Sequence, residues 1–245
     1  MPHSLLISDL HLSDEHSPAA ELFRHFVRDI APRAEALYIL GDLFEYWAGD
    51  DDLADPFHAG VGDALSRLAA RGTRIFILHG NRDFLMGEKL AAACAASLLP
   101  DPVLLDLYGI PALLTHGDAL CTGDAAYQQF RATVRGGHWR EDFLAQPLPA
   151  RKAQIEEMRA RSEQSKRGKP SDIMDVTGEA VHALFRRHHY PCLIHGHTHR
   201  PAKHLHQVDG LTCERWVLGD WDDGSARILR ADETGLHWQT VAATD

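Results

Sequence analysis

Five short apolar runs, each closing on an Asp, His or Asn, constrain this chain more than any other feature. Leu5-Leu6-Ile7 leads into Asp9-Leu10-His11, Ala36 to Leu40 into Gly41-Asp42, and Arg74 to Leu78 into Gly80-Asn81-Arg82-Asp83. Ala112 to Thr115 leads into His116-Gly117-Asp118, and Cys192 to His195 into Gly196-His197. Runs this short and this apolar read as buried strands. Helical patterns separate the first three. Ser17-Pro18 starts a helix with Leu22, Phe23, Phe26, Val27 and Ile30 on one face, and Phe57 to Ala70 forms another. This alternation predicts an α/β sheet with parallel members. Sites in such sheets form outside the carboxyl ends of the strands. Five strand ends therefore deliver Asp9, His11, Asp42, Asn81, His116, His195 and His197 to one rim.

Val103 to Leu107, Gly109 and Ala112 to Thr115 read as a hairpin. Residues 122–188 carry only helical patterns: Gly123 to Arg135, Arg140 to Ala145, Pro149 to Gln164 and Val176 to His188. Strands resume at Cys192 to His195, Cys213 to Leu218, Ala226 to Leu229 and Leu236 to Val241. The expected organisation is a sheet core, 1–121 and 189–245, interrupted by a helical insertion, 122–188. Charge changes with it. Arg131 to Arg187 holds 12 Lys/Arg and 8 Asp/Glu, a net of +4 in a chain whose total is -10. Such an excess is either a solvated face or a cationic lid for an anionic substrate or membrane surface.

The acidic total argues against general nucleic-acid binding, which needs cationic surface. No apolar run approaches the roughly 20 residues of a membrane span, and Met1 to Ser8 lacks the basic flank of a signal peptide. Cys94, Cys121, Cys192 and Cys213 are widely spaced, as expected of reduced cytoplasmic thiols. Histidine stands out: of 17, seven fall between His188 and His206.

Each rim residue alone has an ordinary explanation, since an Asp after a strand commonly caps a turn and a loop His is commonly solvated. The ordered set of five is what carries information. Seven O and N donors exceed the four that one tetrahedral zinc takes. They suit two divalent ions, with manganese, iron or zinc favoured over calcium by the imidazoles. Asp9, His11 and His197 are assigned to one ion, Asn81, His116 and His195 to the other, and Asp42 bridges. Two ions about 3.5–4 Å apart clamp a phosphorus centre and lower the pKa of water between them. Neither a Gly-x-Ser-x-Gly elbow nor a Gly-x-x-x-x-Gly-Lys loop is present.

Asp9-Leu10-His11, Gly41-Asp42, Gly80-Asn81-Arg82-Asp83, His116-Gly117-Asp118 and the segment His195 to Pro201 resemble the calcineurin-like metallophosphoesterases. Gly41-Asp42-Leu43-Phe44-Glu45-Tyr46-Trp47 and Val217-Leu218-Gly219-Asp220-Trp221 resemble the branch that cleaves UDP-2,3-diacylglucosamine in lipid A biosynthesis, and the likeness spans essentially the whole chain. The resemblance implies a four-layer αββα sandwich with a helical lid and two manganese ions. It implies activated water attacking the α-phosphorus, with UMP and 2,3-diacylglucosamine 1-phosphate as products. It also implies a cytoplasmic enzyme held peripherally on the inner membrane, with no nucleic acid and no obligate protein partner.

Many relatives carry His where this chain has Arg82. Arginine does not give up its proton in a protein, so Arg82 clamps phosphate oxygens rather than protonating an alkoxide. A phosphate leaving group needs no such acid, so Arg82 favours diphosphate cleavage over phosphoprotein hydrolysis, the alternative activity on this fold. Candidate catalytic residues are Asn81, Arg82 and His195. By the resemblance, these three also touch substrate, together with Asp124, Ser162, Lys166 and Lys169; Lys166 stands where the family pattern has Asn. Apolar pairs in the insertion, Phe130 with Val134, Ile155 with Met158 and Ile173 with Val176, are expected to form a greasy cleft against the core. Arg151, Lys152, Arg159 and Lys169 are the expected basic rim.

Overall fold

The computed structural model describes residues 1–14, 16–166, 175–221 and 224–242, without the side chains of residues 163, 165 and 166. In the first sheet, β1 (His3–Ile7), β2 (Ala36–Leu40), β3 (Arg74–Leu78) and β4 (Ala96–Leu98) run parallel. The second sheet contains β5 (Val103–Leu107), β6 (Ile110–Thr115), β7 (Cys192–His195), β8 (Ala202–Val208) and β9 (Leu211–Val217). Then β10 (Ser225–Asp232) and β11 (Gly235–Ala242) extend the first sheet antiparallel from β1, giving the order β11-β10-β1-β2-β3-β4. The second sheet is ordered β5-β6-β7-β9-β8, with β6, β7 and β9 parallel.

Alternation along the strands builds the layers. Leu6, Tyr38, Leu40 and Leu78 of the first sheet meet Leu107, Leu114, Ile194 and Trp216 of the second in a buried seam. Leu5, Ile7, Leu37 and Ile39 face outward onto α1 (Pro18–His25), α2 (Pro56–Ala70) and α3 (Glu88–Ala93), in a cluster that includes Leu22, Phe23, Leu65, Leu68 and Leu90. Ser17 caps α1, its hydroxyl accepting from Ala20 N, and Asp55 caps α2, accepting from Phe57 N. Pro18 and Pro56 follow these caps, where a missing N–H costs nothing.

The insertion supplies α4 (Ala125–Val134), α5 (Gly137–Leu144), α6 (Leu148–Lys166) and α7 (Gly178–Arg187). The last of these forms the fourth layer: Val181 and Phe185 pack on Leu113 and Leu193 of the second sheet. Phe143 and Ile155 of α5 and α6 join the core cluster behind the first sheet. The insertion is therefore welded to the sandwich at both ends. Arg151 and Lys152, expected on a basic rim, strengthen the weld instead. Arg151 is buried, pairs with Asp51 and donates to Ala48 O, and Lys152 Nζ lies 2.6 Å from Asp52 Oδ1. A guanidinium and an ammonium beside carboxylates on the core segment cost less than either would buried alone.

Candidate metal centre

Parallel β1, β2 and β3 of one sheet and β6, β7 and β9 of the other end at the same rim, and the loops that leave them are stitched together. His11 N donates to Asp42 O (3.0 Å) and Asp9 N to Gly41 O (3.1 Å). Asp83 is the knot beneath. Its fully buried carboxylate accepts from Leu43 N (2.7 Å), Gly80 N (2.8 Å), Asp42 N (3.3 Å) and Phe44 N (3.4 Å). Asp83→Ala strands those amides and is expected to lower the unfolding free energy by about 3 kcal/mol, read from denaturant unfolding; an unchanged midpoint would remove Asp83 from this role. Glycine is obligatory at two close approaches: a Cβ on Gly80 would collide with Asp42, and one on Gly196 with Ser8 and Asp9.

Two groups of donors converge. Asp9, His11 and His199 form one, and Asp9, Asp42 and His116 the other. His11 Nε2 and His199 Nε2 stand 3.2 Å apart. Asp9 Oδ2 accepts from His197 N at 2.8 Å, while its buried Oδ1 has no hydrogen-bond partner and lies 3.5 Å from His199 Nε2. Asp42 Oδ2 sits between the groups, 3.9 Å from His11 Nε2 and 3.7 Å from His116 Nε2. His116 Nδ1 donates to Leu40 O (2.9 Å), which turns Nε2 toward Asn81 Oδ1 at 3.0 Å. The His197 ring packs edge-on to His116, 5.1 Å between centroids. Buried carboxylate and imidazole donors, an orphaned Asp9 oxygen and facing imidazole nitrogens are a donor set that divalent cations fit.

His195 is a correction. Its Nδ1 donates to Gly196 O (2.8 Å), and its Nε2 is left to accept from Arg215 Nη1 (3.1 Å). Both nitrogens of this ring are engaged, one by a guanidinium, and like the His197 ring it lies outside both donor groups. His199, absent from the expected set, stands in a donor group with Asp9 and His11. Backbone conformation separates the two: Asp9, His11, Asp42, His197 and His199 all have positive φ, between 49° and 69°, and His195 does not. L residues enter that region at a cost, and such strain gathers at functional sites.

Burial opposes charge on His116, yet the carboxylates of Asp42, Asp9 and Asp118 prevail and raise its pKa to about 9. Burial lifts Asp42 to about 6, with His116 opposing and Asp83 and Asp9 adding to the rise. His197, buried and facing charged His116, is pushed down to about 3, and His195, buried beside Arg215, to about 4. A cation can take His116 only after its proton leaves. Against their burial, His11 and His199 are raised too by the carboxylates around them, so Mn2+ uptake at pH 7 should release at least one proton per chain, and affinity should rise with pH toward 9. Below pH 6, protonation of Asp42 should weaken binding further. Calorimetry in buffers of different ionisation enthalpy reads this directly; uptake without proton release would contradict it.

The rim opens into a cavity of about 630 Å³ between core and insertion. Its polar end holds Asn81, Arg82, Asp124, His197 and His199, with Ser162 farther along; its apolar wall holds Trp47, Phe84, Phe130, Val134, Ile155 and Met158. Asp124 caps α4, accepting from Tyr127 N (3.1 Å), and Ser162 is on the exposed part of α6. Arg159 reaches the cavity while pairing with Glu45. Lys166 ends α6 with its side chain outside the described residues, and Lys169 and Ile173 lie outside them altogether. Val176 packs against the α7 cluster rather than the cavity. Sequence reading missed Tyr127, Arg131 and Arg135. All three reach buried Asp118, at 2.9, 2.7 and 3.5 Å, and Tyr127 also stacks on His197 at 6.1 Å. Their period of four along α4 and its neighbour was the available signal.

Residues 3–201 match the calcineurin-like phosphoesterase family. A protein of Aromatoleum aromaticum named UDP-2,3-diacylglucosamine hydrolase is 54% identical over 95% of this chain and 94% of its own. Proteins of the same name from Stenotrophomonas maltophilia and Hahella chejuensis are 47% and 46% identical, each alignment covering at least 98% of both chains. Motifs, rim geometry and full-length likeness agree, and the chain belongs to the calcineurin-like phosphoesterase family.

Proposed function

We propose that the chain hydrolyses the diphosphate of UDP-2,3-diacylglucosamine to UMP and 2,3-diacylglucosamine 1-phosphate, a step of lipid A biosynthesis. The cavity carries this reading, because one space joins a polar Asp/His rim to an apolar wall, as a substrate with a charged diphosphate and two acyl chains requires. In this proposal Asp9, His11 and His199 hold one Mn2+, Asn81, His116 and His197 hold the other, and Asp42 bridges. Two such ions supply activated water and charge screening at phosphorus.

The chain's own groups do the rest. Arg82, whose guanidinium lines the cavity 3.4 Å from Glu45 Oε1, clamps phosphate oxygens and stabilises charge as the bond breaks. Asn81 orients the same phosphate. Asp124 and Ser162 contact the sugar end, and Lys166 and Lys169 are kept as proposed substrate contacts. The apolar wall takes the acyl chains and excludes water. No helix among the described residues is long and apolar enough to cross a membrane; attachment is proposed to be peripheral, on the cytoplasmic face of the inner membrane, through the lipid and the insertion.

Arg82→Ala is expected to keep its metal and lose roughly 10²–10³ in kcat, the scale of one lost transition-state donor; loss of metal instead would make Arg82 structural. A substrate panel tests the function. UMP release from UDP-2,3-diacylglucosamine should far exceed phosphate release from a phosphopeptide, and the reverse ranking would favour the phosphatase alternative.

A further inference from the structure

Glu45 lies in none of the donor groups, yet it touches three of the elements that matter. Its backbone N donates to Leu12 O at 3.0 Å, while Leu12 N donates to Leu43 O at 3.0 Å. These bonds lock the segment bearing Glu45 against the segment bearing His11. The side chain is then held in a narrow range. Glu45 Oε2 lies 2.9 Å from His11 Nδ1, on the ring edge opposite the nitrogen that faces His199 and Asp42, although the buried Nδ1 completes no hydrogen bond there. Glu45 Oε1 takes Arg82 Nη1 at 3.4 Å and pairs with Arg159 of α6. About a fifth of the side chain is exposed, as for His11.

We infer that Glu45 is a positioning residue for the cation held by Asp9, His11 and His199, acting through His11 Nδ1. This rests on the metal-centre reading above. An imidazole can present Nε2 as a lone pair only while Nδ1 keeps the hydrogen. A carboxylate seated beside Nδ1 favours that tautomer, aims the ring and raises its basicity. Arg82 and Arg159 complete the arrangement. Two guanidinium groups on Oε1 keep the carboxylate ionised and stop it from rotating away from His11. The pairing also ties the helix that walls the cavity to a ligand of the centre, so α6 and His11 share one anchor.

The test is a titration of metal-free protein with Mn2+, followed by calorimetry, for the parent chain, Glu45→Ala and Glu45→Gln, each checked for an unchanged melting transition. The parent should take up two ions. Glu45→Ala should weaken one of the two binding steps by about 10–100-fold, the range for a lost carboxylate behind a ligating histidine, and leave the other unchanged. Glu45→Gln keeps an oxygen beside Nδ1 and should recover most of that affinity. UMP release by Glu45→Ala should be poor at limiting Mn2+ and return at saturating Mn2+, which a purely catalytic or folding defect would not do. Both steps at parental affinity in a folded Glu45→Ala protein would overturn the inference, as would Glu45→Gln being as weak as Glu45→Ala. A parent chain that binds no Mn2+ would instead overturn the metal-centre reading on which it rests.

Discussion

Asp42→Ala should abolish turnover, by at least about 10³-fold, beyond the 10²–10³ of a single lost oxyanion donor. Its Oδ2 lies between the two donor groups, within 3.9 Å of both His11 and His116. In the proposed assignment, removing it would delete a ligand from both ions at once and leave two dications facing each other without the charge between them. Metal content measured on the purified variant should fall below one Mn2+ per chain. The same assay separates the two histidine registers. His199→Ala should lose one ion and most activity, whereas His195→Ala should retain both ions, because its ring is engaged by Gly196 and Arg215. Full metal content and near-normal rate in Asp42→Ala would show that it does not bridge.

Shortening the acyl chains of the substrate should be as damaging as losing a ligand. The apolar wall contributes through burial, at about 0.8 kcal/mol per CH₂. Each pair of methylenes removed should then cost roughly tenfold in kcat/KM, and UDP-glucosamine with no acyl chains should fall by several such steps. Mn2+ affinity should not move, since the lining residues Phe130, Val134, Ile155 and Met158 belong to neither donor group. Equal efficiency toward UDP-glucosamine would remove the cavity from substrate recognition.

Which parts were legible from sequence follows from how local their causes are. Strands β1, β2, β3 and β6 are apolar on both faces and show as runs, and their ends carry polar residues that a core cannot hold. The edge strand β8 does not show, because the apolar residues of Ala202–Val208 fall at 202, 205 and 208, off the two-residue period of a strand, and Leu205 is exposed. Short β4 and α3 lie below the length at which periodicity speaks. Within His195-Gly196-His197-Thr198-His199, the sequence leads to His195 and His197 as ligands, and the proposed ligands are His197 and His199. Alternate histidines look equivalent as text, and what distinguishes them is a backbone that enters positive φ only at His197 and His199. The cationic insertion misled for a different reason. Arg151 and Lys152 were legible as charge, but their carboxylate partners Asp51 and Asp52 lie about 100 residues away in sequence and only the fold brings them together, while Arg159 does reach the cavity.

The most direct measurement is UMP release from UDP-2,3-diacylglucosamine by chelator-treated protein, before and after adding Mn2+. The account predicts no release without the ion and sustained release with it, saturating as two ions bind per chain. Equal release in both conditions, or none in either by folded protein, would contradict it.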